Sequence, residues 1–378
     1  RPKAETMCGL TGIFDPRVSA PLAETLRAMT DRQAHRGPDG DGHWCDEAAG
    51  IALGHRRLSI IDLSPAGAQP MASPCGRYVI AYNGEVYNAE DIRAELAAAG
   101  YTPDYRGHSD TEVMLAAISH WGLRPALERF IGMFAFALWD REERRLTLAR
   151  DRLGIKPLYW GEDGDLFLFA SELKSFHAHP GFRPRVDRGA LAAFMRYNYV
   201  PAPASIYKGV FKLEPGCLLT KQADGPARVE RYWDLRRIAR EGQAAPRDLA
   251  DAAAIDEADQ LIGDAVKRRM VSDVPLGAFL SGGIDSSTVA ALMQAHSDRP
   301  VKTFSIGFDV DGFDEAPHAA AVAKHLGTDH TELYVDPKQA LDVIPQLPDF
   351  YDEPFADSSQ IPTYLVSALT RQHVTVAL

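Results

Sequence analysis

The chain has 378 residues, of which 46% are hydrophobic and 25% are charged, and its formal net charge at pH 7 is −11. These values are ordinary for a soluble globular protein and suffice for two to three domains with sizeable cores. The acidic balance argues against nucleic acid as a main partner, and no apolar run approaches the about 18 residues that a membrane span needs.

The first informative feature in chain order is Cys8, which directly follows Met7. If that methionine is removed, the cysteine becomes terminal and carries its own base, because a free α-amine has a pKa of about 7.7–8.0 and accepts the thiol proton. We therefore interpret residues 1–7 as a leader or an upstream remnant that the active protein lacks. The local alternative is that Cys8 is a small buried hydrophobic residue.

Two later segments suit a cysteine nucleophile. Asn83 and Gly84 combine a side-chain amide donor with a backbone N–H, as an oxyanion hole requires, although Asn-Gly is also a strong signal for a type I′ hairpin turn. Ser109 and Glu112 predict a capping box that opens a helix. Asp110 lies in its first turn, where the helix dipole favours a carboxylate with or without a ligand.

Together with motifs that run to about residue 180, these segments resemble the glutaminase domain of class II glutamine amidotransferases. The resemblance implies an α+β N-terminal nucleophile fold, an αββα sandwich, over residues 8–235. It also implies that Cys8 attacks the γ-amide of glutamine, and that Asn83 and the Gly84 amide form the oxyanion hole.

The same resemblance implies a binding pocket for glutamine. Arg57 is the expected ligand of the substrate α-carboxylate, a task that suits a planar bidentate donor. Glu85 and Asp110 are expected to hold the α-amino group, and Ile61 is expected to line the pocket.

A second domain is predicted after a polar stretch rich in Ala, Arg and Gly, residues 236–250, which we interpret as a linker. Residues 251–378 alternate helix-like and strand-like segments, with strands expected at 274–280, 301–308 and 331–335. This alternation predicts an α/β doubly wound parallel sheet, with ligands at the carboxyl ends of its strands.

The heptad SGGIDSS, residues 281–287, joins the first of these strands to a helix. Its two adjacent glycines let backbone amides approach an anion closely, and the helix N-terminus adds its positive dipole end. No Lys follows the glycines, which excludes a Walker A loop. Asp285 suits Mg²⁺, which takes one or two carboxylates together with phosphate oxygens. The local alternative is a hydrophilic strand-to-helix turn.

The heptad resembles the pyrophosphate-binding loop of ATP pyrophosphatases, where strand ends also frame the adenine. The ATP contacts implied by this resemblance are Leu280, Ser281, Gly282, Gly283, Asp285, Ser286, Ser287 and Ile306. A glutaminase domain followed by such a loop is identified as a member of the glutamine-hydrolysing asparagine synthetases. That family implies glutamine, aspartate and ATP as substrates, Mg²⁺ as cofactor and a homodimer. Four cysteines without CxxC or metal spacing favour a reduced, cytoplasmic protein.

Members of this family continue beyond the position of Leu378 into a second glycine-rich loop and a catalytic Lys. We therefore expect the present chain to hold a complete glutaminase and an incomplete synthetase domain. The residues leave open whether the acceptor is aspartate or another carboxylate, such as a sugar acid of surface polysaccharides. They also leave open a different functional class, a catalytically silent glutamine-binding relative.

Overall fold

The computed structural model describes residues 7–18, 20–308 and 314–378. These residues form two compact units. The amino-terminal unit comprises residues 7–244 and the segment Tyr351–Ala356, and the carboxy-terminal unit comprises Ala245–Phe350 and Asp357–Leu378. Of the predicted leader, residues 1–6 lie outside the described residues.

The amino-terminal unit is built on two antiparallel sheets. Its strands are β1 (Gly9–Phe14), β2 (Gly40–Asp46), β3 (Ile51–Arg57), β4 (Met71–Ala72), β5 (Tyr78–Val86), β6 (Gly132–Asp140), β7 (Arg145–Arg150), β8 (Tyr159–Asp163), β9 (Leu166–Ala170), β10 (Val210–Lys212), β11 (Cys217–Lys221) and β12 (Arg228–Arg231). Its helices are α1 (Leu22–Asp31), α2 (Ala89–Ala98), α3 (Asp110–Trp121), α4 (Leu123–Arg129), α5 (Arg188–Tyr197) and α6 (Leu235–Ala244), with 3-10 turns at Pro65–Gly67 and Leu173–Ala178.

The two sheets have the strand orders β10-β8-β9-β1-β3-β2 and β12-β11-β7-β6-β5-β4. A core lies between them, where Leu53 of the first sheet packs in one cluster with Leu148 of the second. The outer face of the first sheet packs on α1, and that of the second packs on α2, α3 and α4. Because both faces of β6 are covered, residues 134–140 are all buried. This layering confirms the predicted αββα sandwich.

The carboxy-terminal unit alternates helices and strands. Its strands are β13 (Leu276–Phe279), β14 (Lys302–Phe308), β15 (Asp329–Val335) and β16 (Val376–Ala377). Its helices are α7 (Asp251–Arg269), α8 (Ile284–Ala295), α9 (Ala316–Leu326), α10 (Pro337–Val343), α11 (Leu347–Phe350) and α12 (Gln360–Thr370), with a 3-10 turn at Ile344–Gln346. The sheet has the order β15-β14-β13-β16, and its pairs are parallel. The predicted parallel sheet is confirmed.

The predicted linker at 236–250 differs from the structure. Most of it belongs to α6, which buries no residue, and only residues 245–250 lack regular structure before α7 begins. The reason is local propensity, since this stretch is rich in good helix formers and Arg237 pairs with Glu241 one turn later. Among the described residues, no helix combines the length and the apolar character needed to cross a bilayer.

Candidate functional site

A cleft in the amino-terminal unit collects the residues predicted for glutamine hydrolysis. It lies where Cys8 precedes β1, where β3 ends, along β5 and at the start of α3. The predicted residues that line it are Cys8, Arg57, Ile61, Asn83, Gly84, Glu85 and Asp110. The fold therefore brings the whole predicted glutaminase set to one place.

Cys8 is held at both its backbone and its thiol. The Leu58 N–H lies 3.4 Å from Sγ, and Sγ lies 3.5 Å from the Leu58 carbonyl oxygen. Arg36 Nε donates to the Cys8 carbonyl oxygen at 3.0 Å. Burial raises the pKa of the Cys8 thiol, while the hydrogen bond with Leu58 and the charges of Lys156, Arg36 and Arg57 act in the opposite direction.

Asn83 and Gly84 lie inside β5, where they pair with Ala135 and Phe134 of β6. The hairpin-turn alternative for this dipeptide is therefore wrong. A Cβ at Gly84 would lie 2.2 Å from the Met133 carbonyl oxygen, so the close approach of β6 requires glycine. Asn83 is 1% exposed, and its Nδ2 is buried without a hydrogen-bond partner among the described residues. Such a donor is costly unless a ligand meets it.

Asp110 begins α3 and lines the cleft. One of its carboxylate oxygens also accepts hydrogen bonds from within the fold. Its Oδ2 accepts from Tyr82 Oη at 2.7 Å and from the Val86 N–H at 2.9 Å. Burial raises the pKa of the Asp110 carboxyl, and these hydrogen bonds lower it only in part. The carboxyl is thus fixed in orientation before any substrate arrives.

The predicted capping box at the start of α3 forms only in part. Ser109 Oγ accepts from the Glu112 N–H at 3.4 Å, as predicted. The Glu112 carboxylate does not complete the box and instead accepts from the N–H groups of Arg106 and Gly107 at 2.9 and 2.8 Å. The loop before α3 folds back onto the start of the helix, and the spacing of Ser109 and Glu112 in the sequence does not predict this conformation.

Arg57 ends β3 with its guanidinium wrapped by the loop that follows. Nη1 donates to the Ser64 carbonyl oxygen at 3.0 Å, and Nη2 donates to the Asp62 carbonyl oxygen. A Cβ on Gly67 would lie 2.2 Å from Nη2, so this loop passes directly against the guanidinium. The arrangement fixes the side chain at the rim of the cleft.

Two residues around Cys8 had no role assigned from the sequence. Arg36 is 7% exposed, and besides holding the Cys8 carbonyl it donates from Nη1 to Glu172 at 2.9 Å. Burial works to raise the pKa of Glu172, but His35, Arg36 and Lys174 together lower it to about 2. Glu172 lies 136 residues from Arg36 in the sequence, and no local pattern connects the two.

His55 of β3 contacts β5 next to Asn83 and thereby joins the two sheets. It is 1% exposed, and its Nε2 lies 2.9 Å from the Tyr82 carbonyl oxygen, directly before Asn83. Burial lowers the pKa of His55 to about 4, and Arg57 adds to that effect while the Tyr82 carbonyl opposes it. The folded protein therefore holds this imidazole neutral.

We expect the free energy of unfolding to fall on acidification as a result. An unfolded histidine has a pKa of about 6.5, so between that value and about 4 the unfolded chain binds more protons than the folded one. The stabilisation is fully present above pH 6.5 and declines by on the order of 3 kcal/mol as pH falls to 4. Chemical denaturation of wild type and His55→Gln across this range should give a flatter pH dependence for the variant. Identical slopes would assign the decline to other groups.

In the carboxy-terminal unit, the predicted phosphate loop lies where β13 meets α8. Ser281 Oγ and Ser286 Oγ are 2.9 Å apart, and the Gly283 N–H donates to Ser281 Oγ at 3.3 Å. Gly282 has a φ of +79°, and a Cβ there would lie 2.7 Å from His318 Cβ. This position therefore requires glycine on both backbone and steric grounds.

The other predicted ATP residues lie along the parallel sheet or in the first turn of α8. Leu280 is buried and donates its N–H to the Phe304 carbonyl oxygen at 2.8 Å, and Ile306 lies further along β14. Ser287 Oγ is buried without a partner among the described residues. Asp285 is exposed in the first turn of α8, and no group of three His, Cys, Asp or Glu side chains suited to a metal occurs in the part of the chain that the structure describes.

Two protein-family models match the chain. The model described as glutamine amidotransferase domain matches residues 7–233, and the model described as asparagine synthase matches residues 257–378. The first covers the unit that contains Cys8, and the second covers the parallel sheet with the phosphate loop.

Individual relatives agree with these matches. Asparagine synthetase [glutamine-hydrolyzing] 1 of Bacillus subtilis is 38% identical over 98% of this chain and 57% of its own length. Putative asparagine synthetase [glutamine-hydrolyzing] 2 of Methanocaldococcus jannaschii is 36% identical over 98% of this chain and 73% of its own length. Amidase chry2 of Gibberella zeae is 34% identical over 82% of this chain and 46% of its own length. The chain thus spans little more than half the length of the Bacillus relative.

Proposed function

The chain belongs to the family of glutamine-hydrolysing asparagine synthetases, and from this premise we propose that it takes part in ATP-dependent amide synthesis with glutamine as nitrogen donor and aspartate as acceptor. Two independent arrangements support the proposal. One is the cleft that surrounds Cys8, and the other is the glycine-requiring loop at the end of β13.

The first half-reaction is the hydrolysis of glutamine at Cys8. In the mature chain the α-amine of Cys8 takes the thiol proton, and the sulfur attacks the carbonyl carbon of the glutamine γ-amide. The C–N bond then breaks, the amine returns the proton to the leaving nitrogen, and ammonia leaves behind a thioester. Water attacks the thioester, so that glutamate is released and the thiol is restored.

The observation that carries this half-reaction is that Asn83, which lines the same cleft as Cys8, has a buried Nδ2 with no hydrogen-bond partner in the described part of the chain. The tetrahedral intermediate carries a negatively charged oxygen, which needs two preorganised hydrogen-bond donors. Asn83 Nδ2 and the Gly84 N–H supply them in our proposal. A buried amide donor without a partner destabilises the fold. This cost is explained if the amide donates its hydrogen bond to the transition state.

The remaining cleft residues bind the rest of the substrate in this proposal. Arg57 pairs with the α-carboxylate from its fixed position at the rim. Glu85 and Asp110 hold the α-ammonium group, for which the fixed orientation of Asp110 is favourable. Ile61 forms an apolar wall for the methylene groups.

The second half-reaction activates the acceptor. A carboxylate oxygen of aspartate attacks the α-phosphorus of ATP, pyrophosphate leaves, and ammonia then displaces AMP from the acyl adenylate to give asparagine. Ser281, Ser286 and Ser287, the Gly282 and Gly283 amides and the start of α8 are the proposed phosphate ligands. Leu280 and Ile306 are the proposed adenine contacts.

The residues present fit Mg²⁺ only as an ion held mainly by phosphate oxygens. Asp285 is the one proposed carboxylate ligand, and Mg²⁺ typically keeps several waters and takes one or two carboxylates besides the phosphates of a nucleotide. When bound, the ion would neutralise charge on the leaving pyrophosphate. The homodimer and the cytoplasmic location stay predictions.

A second candidate keeps the mechanism and changes the acceptor to another carboxylate. This candidate is retained because the chain is 34% identical to a relative that is named as an amidase and not as an asparagine synthetase. A silent glutamine-binding protein is less well supported, since the nucleophile, both oxyanion donors and the rim arginine line one cleft.

The experiment that separates these functions uses the full-length protein with Cys8 as its first residue. It measures pyrophosphate release with glutamine, ATP and Mg²⁺, in the presence and in the absence of aspartate. We expect release to require aspartate and asparagine to appear in equal amount. Glutamine hydrolysis without aspartate-dependent pyrophosphate would point to another carboxylate. The absence of both activities in a folded protein would favour the binding protein.

A further inference from the structure

Lys156 is a buried lysine in the glutaminase cleft that the half-reaction above leaves without a task. It is 5% exposed and lines the same cleft as Cys8, Asn83 and Gly84. Its Nζ lies 3.1 Å from Met7 Sδ, a contact that the proposed mature chain beginning at Cys8 would lack.

The loop after β7 holds Lys156 in place through its backbone. Asp151 is fully buried, and its two carboxylate oxygens accept from the N–H groups of Phe134, Leu153, Ile155 and Lys156 at 3.0–3.1 Å. This carboxylate is therefore committed to backbone donors. The side chain of Lys156 extends from a rigid base rather than from a mobile loop.

Within the described part of the chain, no carboxylate lies at ion-pair distance from Lys156 Nζ. Lys221 has the same 5% exposure but pairs directly with Glu162. Burying an ammonium group without a counter-ion is costly. Because Lys156 is buried next to Cys8 without a carboxylate partner among the described residues, we infer that its charge acts on Cys8.

We propose that Lys156 is a positioning residue for glutamine hydrolysis, and that its ammonium group stabilises the thiolate of Cys8 from inside the cleft. The inference rests on the proposed role of Cys8 as the nucleophile. The thiolate, not the thiol, attacks an acyl carbon, and a nearby cation increases its population.

The Cys8 thiol is surrounded by three cations and one phenol. Cys8 faces the cations Arg36, Arg57 and Lys156, and it also faces the phenol of Tyr82.

The charge of Lys156 is itself poised near working pH. Burial lowers the pKa of Lys156 to about 8 and the Arg36 charge adds to that effect, whereas Cys8, Glu85 and Asp151 oppose it. Its support for the thiolate is therefore mostly present at pH 7 and is lost as pH rises through 8.

The test measures the rate at which iodoacetamide alkylates Cys8 as a function of pH, followed at the Cys8 peptide by mass spectrometry in the full chain. Removing the charge by Lys156→Met should raise the apparent pKa of the thiol and slow alkylation about tenfold at pH 7. Lys156→Arg keeps the charge and should follow wild type. Lys221→Met removes an equally buried lysine outside the cleft and should also follow wild type.

The inference is overturned if the alkylation profile of Lys156→Met superimposes on that of wild type, or if Lys156→Arg slows as much as Lys156→Met. Lys156→Gln replaces Lys156→Met if the latter does not fold by circular dichroism. The alkylation readout separates this inference from the proposed function. A wild-type protein that shows the Lys156 effect but does not hydrolyse glutamine would refute the proposed function and with it the role of Lys156 in hydrolysis, while the stabilisation of the Cys8 thiolate by Lys156 would stand.

Discussion

Replacing Cys8 by alanine is expected to remove glutamine hydrolysis, with kcat falling by at least about 10⁴-fold because the atom that forms the thioester is gone. The measurement is glutamate release by the mature, full-length protein. Supplying ammonium chloride directly should preserve amide formation in the same variant, since only the nitrogen source depends on Cys8.

The matched control for this substitution is Cys217→Ala. Cys217 is a buried cysteine of the same unit that packs in the core between the sheets and does not line the cleft. The Cys217→Ala variant should be somewhat less stable than wild type and should keep the wild-type kcat. If Cys8→Ala retained more than about a hundredth of wild-type hydrolysis, a margin of about 3 kcal/mol in the activation barrier, the nucleophile would have to be another group.

Asn83→Ala is expected to have the second-largest effect, a fall in kcat of about 10²- to 10³-fold with little change in KM. Removing one oxyanion donor costs roughly 3–4 kcal/mol of transition-state stabilisation, because the charge on the oxygen develops only as the tetrahedral intermediate forms. The parameters to measure are kcat and KM for glutamine hydrolysis in folded protein. Because Asn83 Nδ2 has no partner among the described residues, its removal should not greatly destabilise the fold.

Asn88→Ala is the corresponding control. This buried asparagine just beyond β5 donates to the Arg129 carbonyl at 2.9 Å and accepts from the Ile131 N–H at 2.8 Å. Its loss should lower the unfolding midpoint while kcat of the folded fraction stays near wild type. A reversed pattern, with Asn83→Ala active and unstable, would make Asn83 a structural residue and remove the oxyanion assignment.

The layers of the amino-terminal unit and the residues of the cleft were accessible from the sequence through the family resemblance that its local motifs carry. Asn83-Gly84 shows the limit of that reasoning. The dipeptide was compatible with both a hairpin turn and an oxyanion hole, and only its pairing with Ala135 and Phe134 in mid-strand removed the turn. Pairing between strands about fifty residues apart cannot be read from a dipeptide.

The cations around Cys8 were not predictable for the same physical reason. Arg36 contacts the Cys8 carbonyl and Lys156 contacts the neighbouring Met7, although the two lie 120 residues apart in the sequence. Neither has a local pattern that points to a thiol. Glu172 becomes strongly acidic only because His35, Arg36 and Lys174 meet around it. The helix α6, which buries no residue, was missed because its polar composition, rich in Ala, Arg and Gly, was interpreted as a linker.

The most direct test of the central claim, that Cys8 is the nucleophile of a glutaminase, is covalent labelling with a glutamine-analogue electrophile. The mature full-length protein is treated with the reagent, the modified peptide is identified by mass spectrometry, and residual glutamine hydrolysis is measured in the same samples. We predict a single adduct on Cys8 that forms in proportion to the loss of hydrolysis and is prevented by excess glutamine. Complete inactivation with Cys8 unmodified, or full activity with Cys8 modified, would contradict the account.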